Sequence, residues 1–396
     1  MLLVDRKALL SIPPLWRLGF RPFFLGGALF ALIGIAAWAA VLLGVLPAWE
    51  PLGGWLAWHR HEMLFGFASA IVAGFLLTAV QTWTGRPGVS GRPLMILSAI
   101  WLAARLGWLG GAPLWLVTPL ELAFLPALAF FVGRSLWQVK QVRNYPVIAV
   151  LTLLTLADAQ VMLGLWSGNE NWQRGGVLAA LWLVAALMGL IGGRVIPFFT
   201  QRGLGRTAQV PAWPWLDNVL LAGTMLVAVL TATGFGLTPQ PLVGALFAVL
   251  ALGHLIRLWR WRDKGIWSVP LLWSLHLAYL WMMLAPAGMA AWNFGAPLAV
   301  SLPIHALTVG GVGGLILAMI ARVSLGHTGR PLQPPKVMAL AFALLNLGVL
   351  FRVLLVVWLP LQGLSLAAAC WVVAFLLFAW HYGPMFWRPR LDGQPG

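Results

Sequence analysis

The sequence has little charge and almost no cysteine. Only 9% of its 396 residues are Asp, Glu, Lys or Arg, and 9 acidic residues face 25 basic ones. Hydrophobic residues make up 61% of the chain, and the mean hydropathy is +0.90. A soluble domain needs a charged surface, so this composition excludes a soluble protein and indicates a polytopic membrane protein in a lipid bilayer.

Three further absences narrow the class of protein. Cys370 is the only cysteine, so the chain can form no internal disulfide. The basic residues behind the net charge of +16 are scattered between apolar runs, so no nucleic-acid-binding patch is expected. Residues 1–14 lack the long apolar core of a secretory signal peptide. We therefore expect lipid and small molecules as partners, and no nucleic acid.

Apolar runs of about 20 residues predict an all-α polytopic fold with about twelve transmembrane helices in a single domain over residues 1–396. Basic residues concentrate in alternate loops, so the positive-inside bias places both termini in the cytoplasm. The predicted spans are 21–46, 61–83, 93–110, 114–138, 146–167, 173–198, 214–235, 239–259, 267–289, 297–322, 336–358 and 361–385.

A short repeat links the second and tenth predicted spans. His61 precedes a Thr-Gly-Arg-Pro turn at 84–87, and His305 precedes the same turn at 328–331. Duplication or convergent turn chemistry would each explain the match. The common spacing is about one bilayer-spanning helix, which puts both histidines at the same depth near the outer side. Two histidines at matched depth predict a haem clamp, with His61 and His305 as axial ligands.

Ionisable residues within predicted spans are costly in lipid and are therefore candidates for function. Glu62, Glu121 and Asp158 are predicted to carry protons if the protein reduces a bound substrate. Arg105 and Arg352 are predicted to lie near haem propionates. The alternative is that these arginines pair internally with Glu121 or Asp158.

The segment 58–63, Trp-His-Arg-His-Glu-Met, is the densest group of candidate ligands. On an α-helix His59 and Met63 share one face, and an imidazole with a thioether predicts copper. A solvated or capping histidine is the alternative. His276, three residues before Tyr279 in the ninth span, is predicted to bind a second metal or haem, and plain packing is its alternative.

The remaining histidines fall toward the cytoplasmic side. His254 and His381 lie near arginines and are predicted to be interfacial. His327 directly precedes the second Thr-Gly-Arg-Pro turn and is predicted to be structural.

Two glycine-rich segments lie in the predicted spans. Four glycines between 310 and 314 allow close helix packing, and they would also leave room for a planar macrocycle beside His305. The segment 192–197, Gly-Gly-Arg-Val-Ile-Pro, predicts a helix break at the end of the sixth span.

These segments resemble the NnrS family. The matching stretches are WHRHEMLFGF at 58–67, GFLLTA at 74–79, GGRVIPFFT at 192–200, HALTVGG at 305–311 and RVSLGHTGR at 322–330. They spread over most of the chain. The resemblance implies a multi-pass protein of the bacterial inner (cytoplasmic) membrane that contains haem, expected to be haem b, with copper as a second candidate cofactor. It also implies a link to nitric oxide metabolism and to defence against nitrosative stress.

The predicted arrangement is also loosely similar to the core of haem–copper oxidases. Those proteins have twelve core helices, cytoplasmic termini and a low-spin haem held by histidines of the second and tenth helices. Here the sixth span has no histidine, and no second histidine stands two residues before His305. The similarity therefore does not extend to an oxidase-like binuclear centre.

The sequence thus predicts a haem-binding membrane protein that binds or reduces nitric oxide, with an electron donor as a further partner if it is nitric oxide reductase-like. Two axial histidines would block gas binding at a single haem, so turnover would need an open site elsewhere. Two alternatives stay open. A secondary transporter of a small solute or ion would also suit twelve spans with buried charges, and a haem-based sensor would bind without turnover.

Overall fold

A computed structural model describes residues 6–46, 49–208 and 210–394. All regular elements in these ranges are helical, and none of the described residues forms a strand. Twelve described helices are long and apolar enough to cross a membrane, which confirms the all-α polytopic fold. They are Phe20–Leu42, Trp55–Thr84, Arg92–Leu109, Leu114–Gln138, Val142–Ser167, Glu170–Gly203, Pro214–Ala232, Pro241–Trp261, Pro270–Asn293, Ser301–His327, Lys336–Trp358 and Pro360–Phe386.

The second span begins earlier than the sequence predicts. It starts at Trp55, directly after Gly53 and Gly54, whose φ angles of 71° and 82° allow the sharp entry into the helix. His59 and His61 are therefore inside the helix and not at its first residue. His61 lies in the second turn, where neighbouring spans can enclose it.

The sixth span runs on where the sequence predicted a break. Its helix continues from Glu170 to Gly203 and contains Pro197, so the predicted break at 192–197 is wrong. Proline removes one backbone hydrogen bond, but transmembrane helices tolerate it because nearby polar groups compensate for the loss.

The two repeated segments share an unusual winding. Each has a short α-helical turn that ends at its histidine, followed by a π-helical segment, Glu62–Ala68 in one and Ala306–Gly313 in the other. Each then continues as α-helix toward a left-handed glycine, Gly85 with φ 66° or Gly329 with φ 71°. A third π-helical segment, Phe351–Leu355, lies outside the repeat, so duplication and convergence both stay open. Such segments are rare and often mark functional sites.

The chain forms two compact units. The first comprises Met1–Val177, Ile320–Gln333 and Phe375–Gly396, and the second comprises Leu178–Met319 and Pro334–Ala374. A tryptophan-rich cluster lies in the first unit, where Trp58 and Trp108 are at most 1% exposed. In the second, the rings of Trp182 and Phe247 pack at 4.9 Å. The predicted single transmembrane domain stays a prediction.

The second Thr-Gly-Arg-Pro turn holds the carboxyl-terminal segment within the first unit. The Leu391 amide donates to the Thr328 carbonyl at 3.2 Å, and Arg390 Nη1 donates to the His327 carbonyl at 3.1 Å. The His327 ring packs near Phe20, with ring centroids 5.7 Å apart. These contacts agree with the structural role predicted for His327.

Candidate functional site

Five ionisable side chains meet in the first unit, and we call them the acid–histidine cluster. They come from the second, third, fourth and fifth spans and are all at most 3% exposed. Each was a separate candidate in the sequence, and the structure brings them together: His61, Glu62, Arg105, Glu121 and Asp158.

His61 lies at the centre of this cluster. Its Nδ1 is 2.9 Å from Glu62 Oε1, and its Nε2 is 3.1 Å from Asp158 Oδ1 and 3.9 Å from Glu121 Oε1. The Trp108 indole stacks on the imidazole with centroids 4.0 Å apart and planes inclined by 22°. Both ring nitrogens therefore face carboxylates, and one ring face is covered. A haem iron at His61 would have to displace one of these carboxylates.

Arg105 is paired internally, as the alternative from the sequence expected. Its Nη2 pairs with Glu121 Oε2, and its Nη1 is 3.2 Å from Glu62 Oε1. Trp108 Nε1 also donates to Glu121 Oε2, at 3.1 Å. The cluster thus contains three carboxyl groups and one guanidinium. A place for Arg105 near a propionate stays a prediction.

Gly66, in the π-helical segment of the second span, allows the close approach of Arg105. A Cβ atom on Gly66 would lie 2.9 Å from Arg105 Nη1, 3.1 Å from Glu62 Oε2 and 2.8 Å from the Phe30 ring. The Gly66 carbonyl accepts a hydrogen bond from Trp101 Nε1 at 2.9 Å. Only glycine fits here without moving its neighbours, because every side chain begins with a Cβ.

His59 and Met63, the predicted copper pair, lie in differently wound parts of the second span. The His59 ring stacks on Trp38 with centroids 4.6 Å apart and planes inclined by 8°. Met63 belongs to the π-helical segment, whose wider turn changes the angle between the two side chains. Copper at these residues stays a prediction.

A different set has the spacing for a metal ion. Across the described ranges, His61, Glu121 and Asp158 form the one group of three His, Cys, Asp or Glu residues whose ligand atoms lie close enough together. Sequence spacing did not indicate this group, because its members lie on three different spans.

His305 and Arg352 are neighbours in the second unit. His305 Nδ1 donates to the Ser301 carbonyl at 2.7 Å, and Arg352 Nη2 lies 3.1 Å from Nδ1 and 3.2 Å from Nε2. The sequence placed both residues around one cofactor, and they do lie side by side. His61 and His305 belong to separate units, so the clamp between them stays a prediction.

Tryptophans fill the space beside the glycines of the tenth span. A Cβ on Gly310 would overlap the indole of Trp281, and one on Gly313 would overlap the indole of Trp371. Close packing within the second unit therefore explains these glycines. At these two positions no room is left for a macrocycle.

Another polar group in the second unit was only partly anticipated. The Tyr279 hydroxyl lies 2.8 Å from both His254 Nδ1 and Arg257 Nη1. His254 is 5% exposed and packs against Tyr279 and Arg257, and its predicted position at the membrane interface stays a prediction. His276 Nδ1 donates to the Leu272 carbonyl at 2.9 Å, and its role as a ligand stays a prediction.

Trp108 is a residue of the cluster region that the sequence did not single out, and Gly66 was marked only as part of the repeat. Trp108 stands three positions after Arg105 and so shares its helical face, which is a usable signal. Gly66 recurs as Gly310 in the repeat, but the packing that each glycine permits differs between the two copies.

Comparison with known families identifies the chain. The family model described as NnrS protein matches residues 14–390, a range that includes all twelve spans and the acid–histidine cluster. No curated protein matches the chain. The match covers nearly the whole sequence, so this multi-pass membrane protein belongs to the NnrS family.

Proposed function

We propose that this protein binds haem b in the bacterial inner membrane and uses it to bind nitric oxide, which protects the cell against nitrosative stress. The match to a family tied to nitric oxide, over residues 14–390, carries the proposal. Haem iron, when bound, would supply the centre that nitric oxide ligates.

His305 is the histidine that would hold the haem iron in this proposal. Its Nδ1 donates to the Ser301 carbonyl at 2.7 Å, a contact that fixes the ring and leaves Nε2 as the basic nitrogen. Arg352 Nη2 lies 3.2 Å from that Nε2, so the guanidinium would have to move aside for the iron; it is a cation of the kind that pairs with carboxylates such as propionates. His61 fits haem less well, because both of its nitrogens face carboxylates.

Reduction of nitric oxide would also need protons and electrons. Glu62, Glu121 and Asp158 are buried carboxylates within hydrogen-bonding reach of His61 or Arg105, so they can hold and exchange a proton. An electron donor would then be a partner. Binding without turnover needs neither, so nitric oxide consumption by the purified protein separates an enzyme from a sensor.

The test is haem and nitric oxide binding by the full-length protein in detergent, purified from haem-supplied cells. We expect a Soret band that shifts on addition of nitric oxide and weakens in His305→Ala. His381→Ala is the matched control, since the His381 Nδ1 also contacts a backbone carbonyl, that of Leu377, at 2.9 Å. A monodisperse wild-type protein without a Soret band, or a His305→Ala variant with full haem and an unchanged spectrum, would contradict the proposal.

A secondary transporter is the second candidate, favoured by the buried charges of the acid–histidine cluster. Charged residues deep within transmembrane helices often mark an ion or proton pathway. This function predicts ion- or proton-driven flux in proteoliposomes without stoichiometric haem. Flux that Asp158→Asn abolishes would support it, and liposomes no more permeable than empty ones would exclude it for the solutes tested.

A further inference from the structure

The acid–histidine cluster has the geometry of a small cation site, separate from any haem. We propose that His61, Glu121 and Asp158 bind one divalent transition-metal ion, with Glu62 and Arg105 positioning these ligands. Their ligand atoms all lie within 4.8 Å of one another. Ligands about 2.1 Å from an ion stand roughly 3.0–3.5 Å apart. The distance from His61 Nε2 to Asp158 Oδ1, 3.1 Å, lies within that range, and the distance to Glu121 Oε1, 3.9 Å, is slightly longer, so Glu121 would move inward on binding.

The hydrogen-bond contacts of the His61 imidazole also support a bound cation. When Nδ1 carries the hydrogen and donates to Glu62 Oε1, Nε2 presents its lone pair to the Asp158 oxygen 3.1 Å away. Two lone pairs at that distance repel unless a proton or a cation lies between them. A carboxylate on the far nitrogen is the usual way in which proteins orient a metal-bound histidine.

The cluster is two positive charges short of neutrality. Ionised Glu62, Glu121 and Asp158 would carry three negative charges, and Arg105 supplies one positive charge. Uncompensated charge buried in lipid is expensive, so the site must take up two protons or one dication. In the described part of the chain, Glu62 Oε2 is a buried acceptor without a hydrogen-bond partner. Two donors of the same cluster, Arg105 Nε and Nη1, are also buried without a hydrogen-bond partner among the described residues, so the polar atoms of this group are not fully paired as they stand.

The two carboxylate oxygens of Glu121 have different surroundings, and this arrangement suits a metal ligand. Oε2 takes the guanidinium of Arg105 and the indole N–H of Trp108, while Oε1 faces His61 Nε2. Arg105 also holds Glu62 Oε1, at 3.2 Å. The donors around the site thus orient the carboxylates and leave one oxygen of Glu121 directed toward the ion.

The ligand set selects the kind of ion. One imidazole nitrogen and two carboxylate oxygens suit Mn²⁺, Fe²⁺ or Zn²⁺, whereas Cu⁺ prefers sulfur ligands, of which this group has none. Mg²⁺ and Ca²⁺ prefer all-oxygen surroundings. The site is independent of the proposed haem function, and each can fail without the other.

The test titrates the chelator-treated full-length protein in detergent with Co²⁺, whose visible bands report coordination by nitrogen and oxygen. Elemental analysis then counts Co²⁺ and Zn²⁺ per chain. We expect about one ion per wild-type chain. Asp158→Asn, which removes one negative charge at almost constant volume, should weaken binding by about tenfold or more. Asp263→Asn is the matched control, since Asp263 pairs with Arg206 at 2.9 Å outside the spans.

His61→Gln is the second variant, in case Asp158→Asn does not yield a monodisperse protein, and it should also lose the ion. A folded wild-type protein without Co²⁺ or Zn²⁺ above the blank would overturn the proposal and leave two protons as the neutralising charge. Binding unchanged in Asp158→Asn or His61→Gln would overturn it as well. Haem is measured in the same samples: an ion without haem contradicts only the proposed function, and haem without an ion contradicts only this inference.

Discussion

Arg105 supplies the positive charge that compensates the buried carboxylates of the acid–histidine cluster. Its guanidinium contacts Glu62 and Glu121 and is 3% exposed. Removing one partner of a buried ion pair leaves an uncompensated charge, which costs about 3–5 kcal/mol. The cluster would then hold three carboxylates without any fixed cation.

We therefore expect Arg105→Gln to lower the free energy of unfolding by about 3–5 kcal/mol, seen as a lower Tm in detergent. The double variant Arg105→Gln with Glu121→Gln restores the original net charge and should recover part of the loss. Arg206→Gln, at an exposed pair with Asp263, is the control and should change Tm little. An Arg105→Gln protein as stable as this control would show that Arg105 does not compensate the carboxylates.

The sequence marks every charged member of this cluster as a candidate but does not show that they meet. Charge within an apolar run is visible in the sequence, and its cost in lipid marks each residue as a candidate. Which residues meet depends on the rotation and packing of four helices, which hydropathy does not encode. His61 and Asp158 are 97 positions apart, yet their polar atoms are 3.1 Å apart.

At the scale of the element, the π-helical segments of the second and tenth spans bring glycine against large neighbours. Gly310 faces Trp281 so closely that a Cβ would overlap the indole ring. Trp281 Nε1 also donates to Asn346 Oδ1 at 3.1 Å, which limits how far the ring can move. The glycine is therefore required by packing, whatever cofactor the protein holds.

Gly310→Ala should destabilise the protein by about 1–3 kcal/mol, because the added methyl overpacks a fixed contact. Gly326→Ala on the same span is the matched control. Its nearest neighbour would be Leu332, 3.8 Å from the new Cβ, so this change should be neutral or stabilising by up to about 1 kcal/mol. Thermal unfolding in detergent compares the two, and equal Tm values would contradict the packing argument.

Hydropathy predicted the positions of the helices well, but it did not predict how the helices are wound. Apolar runs located all twelve spans, since the free energy of transfer to lipid sums along a segment. The helix winding was not predicted, because a π-helical segment depends on what packs beside it. Pro197 was misjudged for a related reason: the rule that proline ends a helix comes from water-exposed helices, and membrane helices tolerate it.

At the scale of the whole molecule, the carboxyl-terminal segment is held against the second Thr-Gly-Arg-Pro turn. Arg390 contacts the His327 carbonyl and pairs with Asp392 Oδ2 at 2.6 Å. The hydrogen bonds from Arg390 lower the pKa of Asp392 below its ordinary 3.8. A carboxyl with a lowered pKa in the folded state adds stability above its ordinary pKa and loses that contribution as the pH falls.

Asp392→Asn should therefore lower Tm near pH 7, and the difference from wild type should shrink as the pH falls below about 4. The measurement is a series of thermal melts in detergent across that pH range. Glu50→Gln, an exposed carboxyl in the loop before the second span, is the control. A difference in Tm that stays constant down to the lowest pH would show that the ion pair does not cause it.

The sequence alone established a twelve-span membrane protein of the NnrS family, because hydropathy and local motifs are read along one segment at a time. It also named the charged residues that have to be compensated. Only the tertiary structure decided their partners: Arg105 pairs with Glu121, His61 lies between Glu62 and Asp158, and tryptophans fill the glycine positions. Coulomb energy and hydrogen bonding depend on distances of a few ångströms between separate helices, and those distances exist only after packing.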